Sequence, residues 1–182
     1  MKRPFFSTAF FQAKKQDSPA TPEAKAIAAI EKSGGAVRTL AQNDDRLEVA
    51  LNPQGASVTD KDLPPISQLK KVAYVNLGKT GITDAGLIYL KPLAELLQLH
   101  LEQTKISDAG LAQLAGLKKL EYLNLYGTGV TDAGLKHLAG LSNLKNLYLW
   151  QTKVTKEGAE KLKQSIPKLD INLGWEAEPA KK

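Results

Sequence analysis

The sequence repeats itself every 24 residues, and this constrains the fold more than any other feature. Thr80, Thr104, Thr128 and Thr152 stand 24 residues apart. Leu77, Leu101, Leu125, Leu149 and Leu173 keep the same spacing, as do Val75, Leu99, Leu123, Leu147 and Ile171. Gly86, Gly110, Gly134 and Gly158 form a further column. Several columns in phase over four units do not arise by chance. A chain of this kind is a stack of like units.

Each unit combines two periodicities. Alternating apolar pairs such as Leu123 and Leu125 have the period of a strand and point to one side. Leu135, Leu138 and Leu141 follow with helix-like spacing. One short strand and one helix cannot bury their own apolar face, whereas stacked copies share that burial with their neighbours. Written out, the unit is Val75-x-Leu77-x-x-Thr80-x-Ile82-Thr83-Asp84-Ala85-Gly86-Leu87-x-x-Leu90-x-x-Leu93-x-x-Leu96. Over roughly residues 47–173 this resembles the leucine-rich repeat family, in the bacterial-type variant also found in the repeats of F-box adaptors. The resemblance implies an α/β solenoid, a curved parallel sheet with helices on its convex side. About six short strands are counted. It also implies that Thr80, Thr104, Thr128 and Thr152 hydrogen-bond backbone groups of the turn in a buried ladder. Thr83, Ser107, Thr131 and Thr155 read as helix N-caps. Asp84, Asp108 and Asp132 then stand at the positive ends of those helices.

Both ends of the array depart from the pattern. Val49, Leu51, Val58-Thr59-Asp60, Leu63, Ile66 and Leu69 make a weaker first copy. Its turn is longer, through Asn52-Pro53-Gln54-Gly55, and Ala56 replaces the threonine. In the last unit Lys156 replaces the aspartate, Ala159 replaces a leucine, and Ile166 and Leu169 are shifted by one residue. Terminal repeats are expected to be irregular because they cap the core. Ahead of the array, Thr21 as N-cap and Pro22 at the first helical position open a helix that Gly34-Gly35 stops. Ala26, Ile27 and Ile30 give it one apolar face, so it is expected to cap the front.

The expected organisation is a tail at 1–21, a capping helix and connection at 22–46, a repeat domain at 47–175 and a flexible tail at 176–182. Met1-Lys2-Arg3 and the apolar residues up to Phe11 look like the start of an export signal. Pro4, Ser7 and Thr8 break that stretch, and Ser7-Thr8-Ala9 comes too early for cleavage. The segment reads as a flexible tail or a degenerate export signal, which leaves the location open between cytoplasmic and exported.

Composition removes several classes of function. Without cysteine there are no disulfides, thiolate metal sites or cysteine nucleophile. Two histidines argue against a multi-histidine metal centre, and no cofactor is called for. No run approaches 18 apolar residues, so no membrane span is expected. The net charge of +6 is concentrated by half in the N-terminal tail, leaving a body too weakly basic to require a nucleic-acid partner. The oligomeric state stays open.

In the implied architecture, the residues between the core leucines face the concave side in three columns. These are Tyr74, Gln98, Tyr122, Asn146, Asp170; then Asn76, His100, Asn124, Tyr148, Asn172; then Gly78, Glu102, Tyr126, Trp150, Gly174. Four of the five tyrosines and one of the two tryptophans fall in this small set, with Trp175 just past it. Such residues offer large rigid area at low entropic cost and are enriched in binding hot spots. The candidate partner-binding residues are Tyr74, His100, Glu102, Tyr122, Asn124, Tyr126, Tyr148 and Trp150. The expected function is a non-catalytic module that binds a protein on this face. The alternative is a glycan, since stacked rings among amides also suit sugars. Plain cross-strand packing is the competing structural explanation.

His100 and Glu102 share a face and could in principle act as an acid/base pair. No nucleophile or metal set has a fixed place beside them, so they read as a surface polar pair. Gly78-Lys79-Thr80-Gly81 lacks the spacing of a phosphate loop. Lys118, Lys119, Lys161, Lys163 and His137 read as solvated helix residues without a role.

Overall fold

A computed structural model describes residues 21–51, 55 and 57–174. The readings made for residues 1–20, the turn at 52–54 with Ala56, Trp175 and the tail at 176–182 lie outside the described residues. The chain opens with helix α1 (Pro22–Lys32), capped by Thr21, whose Oγ1 accepts from Ala24 N at 3.1 Å. Its Ala26 and Ile30 are buried and Ile27 packs against the same core. Gly34 then takes a left-handed turn at φ 83°, a conformation that costs glycine little.

Seven strands form one open sheet in chain order: β1 (Ala36–Ala41), β2 (Asp44–Ala50), β3 (Val72–Asn76), β4 (Gln98–His100), β5 (Tyr122–Asn124), β6 (Asn146–Tyr148) and β7 (Asp170–Asn172). From β2 onward all neighbours are parallel. The count of about six misses β1, which runs antiparallel to β2. It occupies residues read as a connection. β1 lies outside the 24-residue period, yet its pairing of Val37 with the fully buried Val49 extends the sheet past the first repeat.

Between strands the chain returns along one side of the sheet. It does so through short 3-10 segments at Asp60–Asp62, Pro64–Gln68 and Asp84–Leu90. Helices α2 (Asp108–Leu114), α3 (Asp132–Leu135) and α4 (Lys156–Ser165) follow. Strand leucines and helical-side leucines meet in a single core cluster. Leu99, Leu101, Leu123, Leu125 and Leu147 have no exposed surface at all. In the last unit Ala159 and Leu162 keep the repeat phase on the ten-residue α4, Ile166 and Leu169 follow it one residue late, and all four are buried.

The threonine ladder is present. The hydroxyls of Thr80, Thr104, Thr128 and Thr152 donate to the carbonyls of Leu77, Leu101, Leu125 and Leu149 at 2.6–2.7 Å. The first three are buried, and Thr152 is half-buried.

A second ladder differs from expectation. Asp84, Asp108 and Asp132 do begin their helical segments, but their carboxylates reach forward into the next unit. Asp84 accepts from Ser107 N at 2.8 Å and Ser107 Oγ at 2.5 Å. Asp108 does the same with Thr131, and Asp132 with Thr155. Asp60 of the weak first copy holds Thr83 in the same way. The capping residues thus act between units. Thr83, Thr131 and Thr155 also accept from a helix N–H, whereas the Ser107 side chain makes no cap bond.

This ladder explains the glycine column. A Cβ on Gly86, Gly110, Gly134 or Gly158 would land on the carboxylate of Asp60, Asp84, Asp108 or Asp132 respectively. Lys118, Lys119 and His137 lie in turns after α2 and α3, not in the helices. Lys119 pairs with Glu95 at 2.6 Å and Lys118 Nζ donates to Gly140 O at 3.1 Å, so both link neighbouring units.

Candidate functional site

Strand alternation decides which residues are available. Val75 and Leu77 point into the core with no exposed surface, so Tyr74, Asn76 and Gly78 point away from it. The parallel register then aligns equivalent residues of successive units. Tyr74, Gln98, Tyr122, Asn146 and Asp170 are direct neighbours across the sheet, and so are Asn76, His100, Asn124, Tyr148 and Asn172. The eight residues singled out above all lie on the sheet face opposite the core.

Their rings do not stack along a column. The path runs from Tyr74 to His100 at 5.1 Å, from His100 to Tyr122 at 4.8 Å, and from Tyr122 to Tyr148 at 5.2 Å between centroids. It zigzags, because units alternate in where they carry a ring. Tyr74 and Tyr122 lie in the first column beside Asn76 and Asn124, whereas His100 and Tyr148 lie in the second column beside Gln98 and Asn146. Diagonal neighbours on adjacent strands are within reach of aromatic side chains. This 48-residue alternation is visible in the columns, but reading each column separately hides it.

The third column forms a row of its own. Tyr126 stacks on Trp150 at 5.0 Å with 19° between the planes. Trp150 is 47% exposed, a large value for so apolar a group. Its far side lies over Gly174, where a Cβ would fall on the indole. Glu102 likewise lies over Gly78, where a Cβ would meet its carboxylate. The two glycines at the ends of the row therefore seat the side chains next to them, a role that composition and spacing did not reveal.

The amides are less free than their chemistry alone implies. Asn76 Oδ1 accepts from Gly78 N at 3.1 Å, Asn124 Oδ1 from Tyr126 N at 3.0 Å and Asn172 Oδ1 from Gly174 N at 2.8 Å. Asn124 thus uses its Oδ1 to fix the turn that presents Tyr126, and its NH2 remains as a donor.

Electrostatics set the state of the polar pair. His100 Nδ1 stands 3.6 Å from Glu102 Oε2, slightly too long for a hydrogen bond. Burial raises the Glu102 pKa, but His100, the residue's own N–H and the Lys79 charge outweigh it, so the carboxyl sits below its ordinary value. It is therefore ionised at neutral pH. Its Oε2 is buried and accepts no hydrogen bond from the described residues. Burial pushes the Tyr74 and Tyr122 phenols up, and the Glu102 charge adds to both. Both remain neutral donors under ordinary conditions. Among the described residues no cluster of three or more His, Asp or Glu could hold a metal ion, and no helix is long and apolar enough to cross a membrane.

Comparison with known proteins agrees with this architecture. A family model described as a leucine-rich repeat matches residues 116–139. An internalin of Listeria monocytogenes is similar in structure, with a TM-score of 0.54 and 25% identity, over 63% of this chain and 32% of that one. The chain thus spans about a third of that internalin's length. The leucine-rich repeat ectodomain of the receptor kinase SOBIR1 from Arabidopsis thaliana has the same fold, with a TM-score of 0.51 and 18% identity, over 83% of this chain and 90% of that one. A search of the curated proteins finds no significant match.

Proposed function

We propose that this chain, whose repeat matches a leucine-rich repeat model at residues 116–139 and whose fold is that of leucine-rich repeat proteins, acts as such proteins generally do, as a non-catalytic protein–protein interaction module, and binds a protein partner on the face of its sheet opposite the core. The observation that carries this reading is the row of Tyr126 and Trp150 beside the zigzag from Tyr74 to Tyr148. An aromatic surface of this kind, with Trp150 half open to solvent, marks an interaction site more often than a structural need. Tyr126, Tyr148 and Trp150 are the anchors, and Tyr74, His100, Glu102, Tyr122 and Asn124 surround them.

The mechanism is rigid presentation. Tyr148 stands on β6, which is paired on both sides, Tyr126 and Trp150 stand in the turns directly after β5 and β6, and Asn124 locks the backbone at Tyr126. Little is left to order on binding, so more of the contact energy appears as affinity.

The test is affinity capture from native extract with the full chain beside a Tyr126→Ala/Tyr148→Ala/Trp150→Ala variant whose fold is verified by circular dichroism. A protein held by the intact chain and lost with the variant is the expected result. Equal capture by both would reduce the rings to sheet packing. Trp150→Ala alone should change unfolding stability by less than about 1 kcal/mol, since the ring is half exposed. No observation favours the glycan reading; saturable oligosaccharide binding that disappears in Trp150→Ala would restore it.

A further inference from the structure

The charges on the proposed face run opposite to those of the molecule. The chain as a whole carries +6. Yet the three outward columns, from Tyr74 to Gly174, hold Glu102 and Asp170 and no lysine or arginine; Lys79 stands beside them, in the turn after β3. Glu102 is ionised and lies flat over Gly78, in the same row as the Tyr126–Trp150 stack. One of its oxygens receives no hydrogen bond from the described residues, and His100 stops at 3.6 Å. Its negative charge is thus only partly answered by the protein. Ring faces are also electron-rich and attract cations.

Resting on the protein-binding reading above, we infer that the partner presents an extended segment bearing arginine or lysine, with a cationic head group between the Glu102 carboxylate and the face of Tyr126 that Trp150 does not cover. A guanidinium suits this place best, because it can stack on a ring and bond a carboxylate in one plane. The body outside this face is mildly basic and offers such a segment no comparable attraction, so charge helps to fix its register as well as attracting it. Lys79, next in the turn after Gly78, closes the row on one side to further cations.

The experiment is a selection of random twelve-residue displayed peptides against the immobilised full chain. Glu102→Gln and Tyr126→Ala/Trp150→Ala chains of verified fold run in parallel. The expected result is enrichment of arginine- or lysine-bearing peptides on the intact chain. For a synthesised winner, Glu102→Gln should weaken binding about tenfold, and raising the salt should weaken the intact chain toward the variant. Peptides that need Tyr126 and Trp150 but carry no basic residue, or that bind Glu102→Gln equally well, would overturn this inference and leave the binding face standing. Peptides that bind all three chains alike, or that are rich in aspartate or glutamate, would also overturn it. If native capture is then likewise indifferent to the rings, the reading of the face falls too.

Discussion

At the residue scale, the aspartate and glycine columns act as one device. Asp84 occupies the space that a side chain on Gly110 would need, and from there it holds Ser107 of the next unit. Asp84→Ala should cost about 2 kcal/mol, since it strips two hydrogen bonds to a charged acceptor. Gly110→Ala alone should cost roughly 1–3 kcal/mol by forcing that carboxylate out. In the double variant the second change should be nearly neutral, because alanine favours the helix once the carboxylate is gone. Urea denaturation of the four-member cycle checks this, and simple additivity would refute the pairing. Asp132 carries the pH signature of the same device. The Thr155 hydroxyl, then the Thr155 backbone N–H, hold its carboxyl below the usual aspartate value, with Lys161 adding. Its contribution to stability is therefore complete above a pH of about 4, the unfolded value, and fades as pH falls through the lower folded value. Asp132→Asn should flatten that part of the acid-induced loss, as read from melting temperatures between pH 5 and pH 2.

At the scale of the element, β3 to β6 each leave the sheet through a left-handed residue at one fixed position. Lys79, Gln103, Gly127 and Gln151 take φ between 54° and 67°. Only one of the four is glycine, so the other turns hold a side chain in a conformation that disfavours it. Gln103→Gly should raise stability by about 0.5–1 kcal/mol, and Gly127→Ala should lower it by a similar amount; thermal unfolding separates the two signs. The turn geometry was not legible in the sequence, because Lys79 and Gln103 carry no turn signal. The leucine and threonine columns were legible, because burial repeats their residue types. The aspartates were legible as a column but not in their partners, since helix-end reasoning looks for a carboxylate's partner within its own unit. β1 escaped for a different reason: a period search finds only what recurs, and Ala36–Ala41 occurs once. The site was legible as a set of outward positions, while its ring path and its glycine seats needed the cross-strand register.

At the scale of the whole molecule, stability is shared between neighbours. Leu123 sits in the middle strand of the repeat array with no exposed surface. Leu123→Ala should cost about 3 kcal/mol by opening a cavity. Hydrogen exchange should accelerate in the units on both sides of it before the ends respond. The alternating rings have a consequence for how such a chain can grow or shrink. The core repeats every 24 residues, but the rings of the first two outward columns alternate every 48. Deleting one unit, residues 98–121, would keep every core column in step and bring Tyr122 directly beside Tyr74, with Asn124 beside Asn76. Folding would tolerate that ancestry and the face would not. Lineages of this protein that preserve the surface should therefore gain and lose repeats in pairs.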